Sequence, residues 1–251
     1  MKDELYLPVK KVSLIDILPN NKPPHSKSHV IMDKETGDIL HFCSVEYKVN
    51  SNEDIFKPME QLFNKYKIKF TKFVKIISRT KFYVDYVLKI KNKAGEKLPG
   101  LLPCISVWNS YDGSLKHQIH FNYYFKKEHI KIPSPTSHSI DCCSKHCHEH
   151  LEAYIKNGKK DFAFYNKMND IPAGPELINK VGKKLKLSSE IKKSSIKNLE
   201  TEIKEGLKSS LFSVYMAINR AIVTCNQKEV PEFKYKRKKA LLLEFLAINL
   251  K

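Results

Sequence analysis

The sequence predicts an α+β protein, with an N-terminal strand-rich half of antiparallel hairpins and one short helix, followed by a helical C-terminal half. Three observations predict it. Residues 39–49, 73–90 and 103–125 alternate apolar and polar side chains in the strand manner. An Asp-Gly pair at 112–113 punctuates the last of these runs. Beyond IPSPTSHS (132–139) apolar residues recur at helical spacing instead. A boundary near there gives halves of 1–132 and 133–251, either as two domains or as one continuous domain.

Each element has a local reason. DKETGD (33–38) supplies a turn into a strand whose Ile39, His41, Cys43, Val45, Tyr47 and Val49 share one face. SNEDIFKPMEQLFNKY (51–66) has a capping serine, acids in its first turn, and Ile55, Met59, Leu62, Phe63 and Tyr66 at helical spacing. Pro58 limits that helix to a short one. In 73–90, Val74, Ile76, Phe82, Val84, Tyr86, Leu88 and Ile90 form a core side, while Lys75, Arg79, Lys81, Tyr83 and Lys89 form the other. SRTK (78–81) turns the chain between two strands. In 103–125, Ile105 and Val107 precede the Asp112-Gly113 turn, and Leu115, Ile119, Phe121, Tyr123 and Phe125 follow it on one face, interrupted by a polar His117. Asp112 is a turn former rather than a catalytic acid. Helices are expected at 146–155, 176–187, 190–205, 206–225 and 235–250. The stripe Leu207, Leu211, Val214, Tyr215, Ile218, Ala221, Ile222 and Cys225 marks the fourth of these as a core helix.

Charge narrows the function class. The chain of 251 residues carries +18, distributed unevenly: residues 57–99 sum to +9, 156–208 to +6 and 226–239 to +4, against −2 for 1–56. Localised basicity fits a polyanion, most often nucleic acid. With 42 lysines and three arginines (Arg79, Arg220 and Arg237), the chain is suited to phosphate contact rather than bidentate reading of guanine edges. The cationic side of 73–90, with Tyr83 among Lys75, Arg79, Lys81 and Lys89, suits a single strand, since lysines hold phosphates while a ring stacks on a base. Lys236, Arg237, Lys238 and Lys239 form a second basic patch. A solvated lysine-rich surface is the plain alternative.

The stretch HSIDCCSKHCHEH (138–150) holds three of six cysteines and four of ten histidines. Cys143, His146, Cys147 and His150 fall at i, i+3, i+4 and i+7, and two cysteines with two histidines suit zinc. Yet positions 143 and 150 stand about 10 Å apart along a helix axis, too far to reach one ion together. A structural zinc would therefore need Cys142, His138, Cys104 or His120 as well. Core packing of the stripe that runs on through Leu151, Tyr154 and Ile155, and a reactive thiol, stay open beside it. No HExxH, GxSxG or Gly-rich phosphate loop appears, so the case for an enzyme, a metal-dependent nuclease included, is thin. The leading expectation is non-specific nucleic-acid binding, preferably to single-stranded DNA. The alternative is a non-enzymatic protein-interaction or virion-associated protein, and oligomeric state stays open.

PVKKVSLIDILPN (8–20), DILHFCSVEYKVNSNEDIFKPMEQLF (38–63), SVWNSYDGSLKHQIHF (106–121) and SLFSVYMAINRAI (210–222), in this order, resemble the phage/plasmid-like proteins of domain of unknown function 932. NSYDGS is the most specific block. Members follow this hairpin with an arginine and a Cys-Asn pair, whereas here the chain reads FNYYFKK (121–127). The resemblance implies a phage or plasmid accessory protein acting in the bacterial host cytoplasm, in recombination or replication, and brings no catalytic residues. Strands with a basic face followed by helices are also similar, at fold level, to phage single-strand annealing proteins. The acidic residues of MKDELYLPVKK argue against a signal peptide, and no apolar run reaches the length of a membrane span.

Overall fold

The computed structural model describes residues 4–18, 28–90, 101–114, 118–125, 130–137, 140–141, 147–204, 206–225 and 231–248. The strand-rich half contains β1 (Val9–Ser13), α1 (Leu14–Ile17), β2 (His29–Asp33), β3 (Ile39–Cys43), α2 (Asn52–Lys65), β4 (Phe70–Ser78), β5 (Lys81–Leu88), β6 (Leu101–Ser110), β7 (Gln118–Phe125), β8 (Ile130–Pro133) and β9 (Ile140–Asp141). The helical half contains α3 (Cys147–Asp170), α4 (Pro175–Lys184), α5 (Ser189–Lys204), α6 (Leu211–Thr224) and α7 (Pro231–Ile248). The fold is α+β, as the sequence predicts. One sheet has the order β1-β2-β3; the other runs β4-β5-β6-β7-β8, with β9 on β7. Among the described residues no helix is long and apolar enough to cross a membrane.

The chain forms two compact units, one of Met1–Ile90, Cys104–Phe121 and Ser139–Leu151, the other of Lys91–Pro103, Asn122–His138 and Glu152–Lys251. In the first, α2 starts where Ser51 accepts the Asp54 N–H at 3.1 Å, with Glu53 and Asp54 favourably placed at the positive end of the helix. Its Ile55, Phe56, Met59 and Phe63 are buried. Phe63 lies against Phe70 and Tyr86, with ring centroids 5.1 and 5.2 Å away. The helix runs past Pro58 to Lys65, the short helix expected within 51–66. Pro58 is on the exposed side, so the carbonyl it leaves without an N–H partner faces water. A buried knot joins the parts: Asn52 donates to the Leu5 carbonyl (2.6 Å), Asn109 donates to Asn52 Oδ1 (2.7 Å), and the Asn52 N–H donates to Tyr111 Oη (3.1 Å). Burial pushes the Tyr111 hydroxyl up to about 12.

Two strand expectations are corrected. β3 stops at Cys43 rather than reaching Val49. Its continuation turns at Ser44–Tyr47, where Lys11 Nζ donates to the Val45 and Tyr47 carbonyls. In the long hairpin, Val74 and Ile76 are exposed instead of core, while Tyr83 and Val87 are buried. β4 is the outer strand of its sheet, so its side chains have no strand beyond them, whereas β5 lies between β4 and β6.

In the second unit, α3 runs on to Asp170, well past the expected end at Ile155. Phe162, Tyr165 and Met168 bury one side of the extension. Fully buried Asp161 accepts the hydroxyls of Tyr123 (2.9 Å), Ser134 (2.5 Å) and Thr136 (2.6 Å). Three donors to one carboxylate compensate its desolvation and fix α3 on this face of β7 and the segment after β8. α6 begins at Leu211, not 206, because Gly206 (φ +85°) ends α5 and Ser210 caps α6 through the Ser213 N–H at 3.2 Å. Its residues Leu211 to Asn219, with Ala221 and Ile222, are buried, while Leu207 is left exposed ahead of it.

Candidate nucleic-acid interface

The strand register decides which side chains share a face. Val74 opposes Val84, Lys75 opposes Tyr83 and Phe73 opposes Asp85. The Lys89 N–H donates to the Lys69 carbonyl at 2.7 Å, which carries the pairing one step beyond β4. Directly opposed residues point the same way, so Lys69, Phe73 and Lys75 share a face with Lys81, Tyr83, Asp85 and Lys89. On β6 the same face continues through Cys104, Ser106 and Trp108, the partners of Val87, Asp85 and Tyr83.

This face has a wet outer part and a dry inner part. Lys69, Lys75 and Lys89 are exposed, and Phe73 between them is 50% exposed. The inner part surrounds the half-buried Asp85, which accepts the Tyr83 hydroxyl at 2.7 Å and the Ser106 hydroxyl at 2.5 Å, with the Cys104 sulfur at 3.9 Å. Burial, reinforced by the Asp85 charge, pushes the Cys104 thiol well above its ordinary value, so it is a poor nucleophile. Trp108 and His120 lie against each other beside this cluster, with centroids 4.1 Å apart and ring planes tilted by 57°.

The residues named from sequence are distributed unequally. Lys75 and Lys89 are exposed on this face. Tyr83 is corrected: it is 5% exposed, with its ring 6.1 Å from that of Trp108, so it offers no plane to a base. Interior position in the sheet and the hydroxyl bond to Asp85 explain its burial. Arg79 is exposed but paired, with Nη1 2.7 Å from Asp38 and Nη2 3.1 Å from Asp33. Lys81 is 3.6 Å from Asp112. Asp112 also accepts from the Ser114 N–H and the Thr80 hydroxyl, at 2.9 Å each, the turn-forming role expected of it. Burial alone would raise the Asp112 carboxyl, but these hydrogen bonds and Lys81 outweigh it and hold the group below the usual range. In the second patch, Lys239 is 8% exposed and so is no surface contact, while the side chains of Lys236, Arg237 and Lys238 lie outside the described residues.

Sequence reasoning missed Lys69 and Phe73. The signal was present: Phe73 is two residues before Lys75, so strand alternation puts it on the cationic side. It was hidden because an aromatic at the start of an apolar run reads as core.

For the cysteine and histidine stretch, His138, Cys142, Cys143, His146 and the side chain of Cys147 lie outside the described residues. His150 is exposed on α3, Cys104 is fully buried, and His120 is buried against Trp108. Among the described residues, no group of three or more histidine, cysteine, aspartate or glutamate side chains is placed to hold a metal ion. No family model, curated protein or solved structure matches the chain.

Proposed function

We propose that the chain binds single-stranded nucleic acid non-specifically through the outer face of β4 and β5. The observation that carries this is Phe73, half-exposed on a strand between Lys69, Lys75 and Lys89. Lysines hold phosphates without reading sequence, and an exposed ring stacks on any base. A role in recombination or replication of a phage or plasmid belongs to the same proposal and rests on the resemblance of the quoted sequence blocks. The test is fluorescence anisotropy of a labelled oligonucleotide at ~50 mM salt. Phe73→Ala is expected to weaken binding about tenfold, the value of one stacked base. Tyr83→Phe should leave binding unchanged. No binding at that salt, or equal binding by Phe73→Ala, overturns the proposal.

A second reading, protein interaction, is favoured by Val74 and Ile76, exposed on the opposite face of the same outer strand. A sheet edge with apolar side chains and lysines suits an extended acidic peptide added as a further strand. A stable complex with such a peptide, together with no oligonucleotide affinity, would replace the first reading by the second.

A further inference from the structure

We infer that α4 and α5 form a helix-turn-helix unit that seats α5 in the major groove of duplex DNA. The inference rests on the second compact unit alone and is independent of the β4–β5 face.

The local chemistry of the turn comes first. α4 has ten residues and α5 sixteen, joined by Leu185, Lys186, Leu187 and Ser188. The connection is a tight helix stop: the Leu187 N–H donates to the Gly182 carbonyl at 2.9 Å, and the Lys186 N–H to the Lys183 carbonyl at 3.3 Å. Lys186 takes the left-handed conformation this stop needs, with φ 50°. Leu187 then turns inward and is buried, and Ser188 caps α5 through the Ile191 N–H at 3.2 Å. A short helix, a left-handed residue, an inward apolar residue and a capped second helix match the short turn that a DNA-binding helix pair uses.

The packing is of the same kind. A Cβ at Gly182 would lie 2.6 Å from Lys192 Cδ and 2.8 Å from its Cγ, so only glycine lets the Lys192 stem cross α4 this closely. Ile178 and Val181 of α4 are buried, as is the stripe Ile191, Ser195 and Leu199 of α5. Asn198 donates to the Ala217 carbonyl of α6 at 3.3 Å, which ties α5 to the core helix. α5 is therefore held by one side and displays the other.

What it displays fits a groove. Ser188, Ser189, Glu190, Lys193 and Lys197 are exposed along the first three turns of α5 and its cap. These are short or flexible polar side chains, with half-buried Ile196 at the edge of the set. Serine and lysine donate to base-edge acceptors, and a glutamate accepts from cytosine. Lys183, Lys184 and Lys186, exposed at the turn, are placed to meet phosphates at the groove wall. Residues 175–204 contain eight lysines against four glutamates, so the field of the pair favours a polyanion. A B-form major groove, about 12 Å wide, admits one α-helix.

The test uses the full chain, a mixed-sequence duplex of about 20 base pairs, and one of its strands alone, at ~50 mM salt. The double variant Lys193→Glu, Lys197→Glu should lower duplex affinity at least tenfold while single-strand affinity stays within about twofold. Lys75→Glu should do the reverse. Both changes are on exposed side chains, and circular dichroism and thermal melting confirm that the variants fold. Absence of duplex binding, or a folded double variant that keeps full duplex affinity, overturns the inference. Equal loss on both probes also overturns it, because it reduces α5 to a general contributor of charge.

Discussion

The β4–β5 hairpin and the α4–α5 pair are both lysine-rich, yet they handle their cations differently. In the hairpin region acids answer many of them: Arg79 meets Asp38 at 2.7 Å and Asp33 at 3.1 Å, Lys81 meets Asp112 at 3.6 Å, and Lys72 meets Glu60 at 2.8 Å. In the helix pair Lys180, Lys183, Lys184, Lys186, Lys193 and Lys197 are exposed, and none has an ion-pair partner among the described residues. The cause is geometric. Strand turns from distant parts of the sequence come together at 33–38, 79–81 and 112, so acids of the N-terminal stretch reach cations of the next one. A helix spreads its lysines around an axis, and neighbours reach one another only at three or four residues' separation. Net charge in a sequence segment is therefore a poor measure of charge open to a ligand.

Salt gives the widest separation between the two regions. Counterion release scales with phosphates neutralised, with a slope of about 0.9 per contact on duplex and about 0.7 on single strands. If Lys183, Lys184, Lys186, Lys193 and Lys197 contact a duplex, raising salt from ~50 to ~200 mM should weaken duplex binding about 500-fold. If Lys69, Lys75 and Lys89 contact a single strand, the same change should weaken that binding about 20-fold. Equal slopes on the two probes would erase the distinction.

Charge removal should separate them again, through stability. Arg79→Ala takes away the cation paired with Asp33, a 2%-exposed carboxylate also held by the Glu35 N–H, and should lower the melting temperature measurably while leaving oligonucleotide affinity nearly intact. Lys193→Ala removes an unpaired surface charge and should shift stability by no more than about 0.5 kcal/mol while weakening duplex binding. The comparison is wrong if Arg79→Ala melts like the parent and binds poorly.

Much of the fold was legible, because periodicity and punctuation are local. The Asp112-Gly113 turn, the α2 cap at Ser51, and the buried face of α6 follow from adjacent residues. What was not legible depends on neighbours in space. Tyr83 and Lys75 look equivalent in alternation, and only a third strand on one side of β5 buries the tyrosine. Asp161 sits in a stretch of lysines, glycine and asparagine that reads as loop, since its hydroxyl partners come from Tyr123, Ser134 and Thr136. The break between α4 and α5 was legible, but the end of α4 was set at 187 instead of Lys184, because a lysine, Lys186, occupies the left-handed position where glycine would have marked the stop.

Acid should act on the hairpin region through the same ion pairs, with the smallest effect. The Arg79 guanidinium, with help from Thr36, holds Asp38 below the ordinary carboxylate range. The Glu35 backbone N–H does most for Asp33, overcoming the opposing effect of burial, with Thr36 and Arg79 adding to it. Groups whose folded-state values are depressed stabilise the fold above their unfolded value of 3.8, and that stabilisation is lost as pH falls through the folded value. These carboxylates therefore leave melting temperature unchanged between about pH 7 and pH 5 and lower it below about pH 4. Arg79→Ala removes the largest cause at Asp38 and a lesser one at Asp33, so the variant should lose less stability than the parent as pH falls below about 4. An acid limb of the same depth in parent and variant would mean that Arg79 does not hold these acids in solution, and its guanidinium would then be as open to phosphate as the lysines of α5.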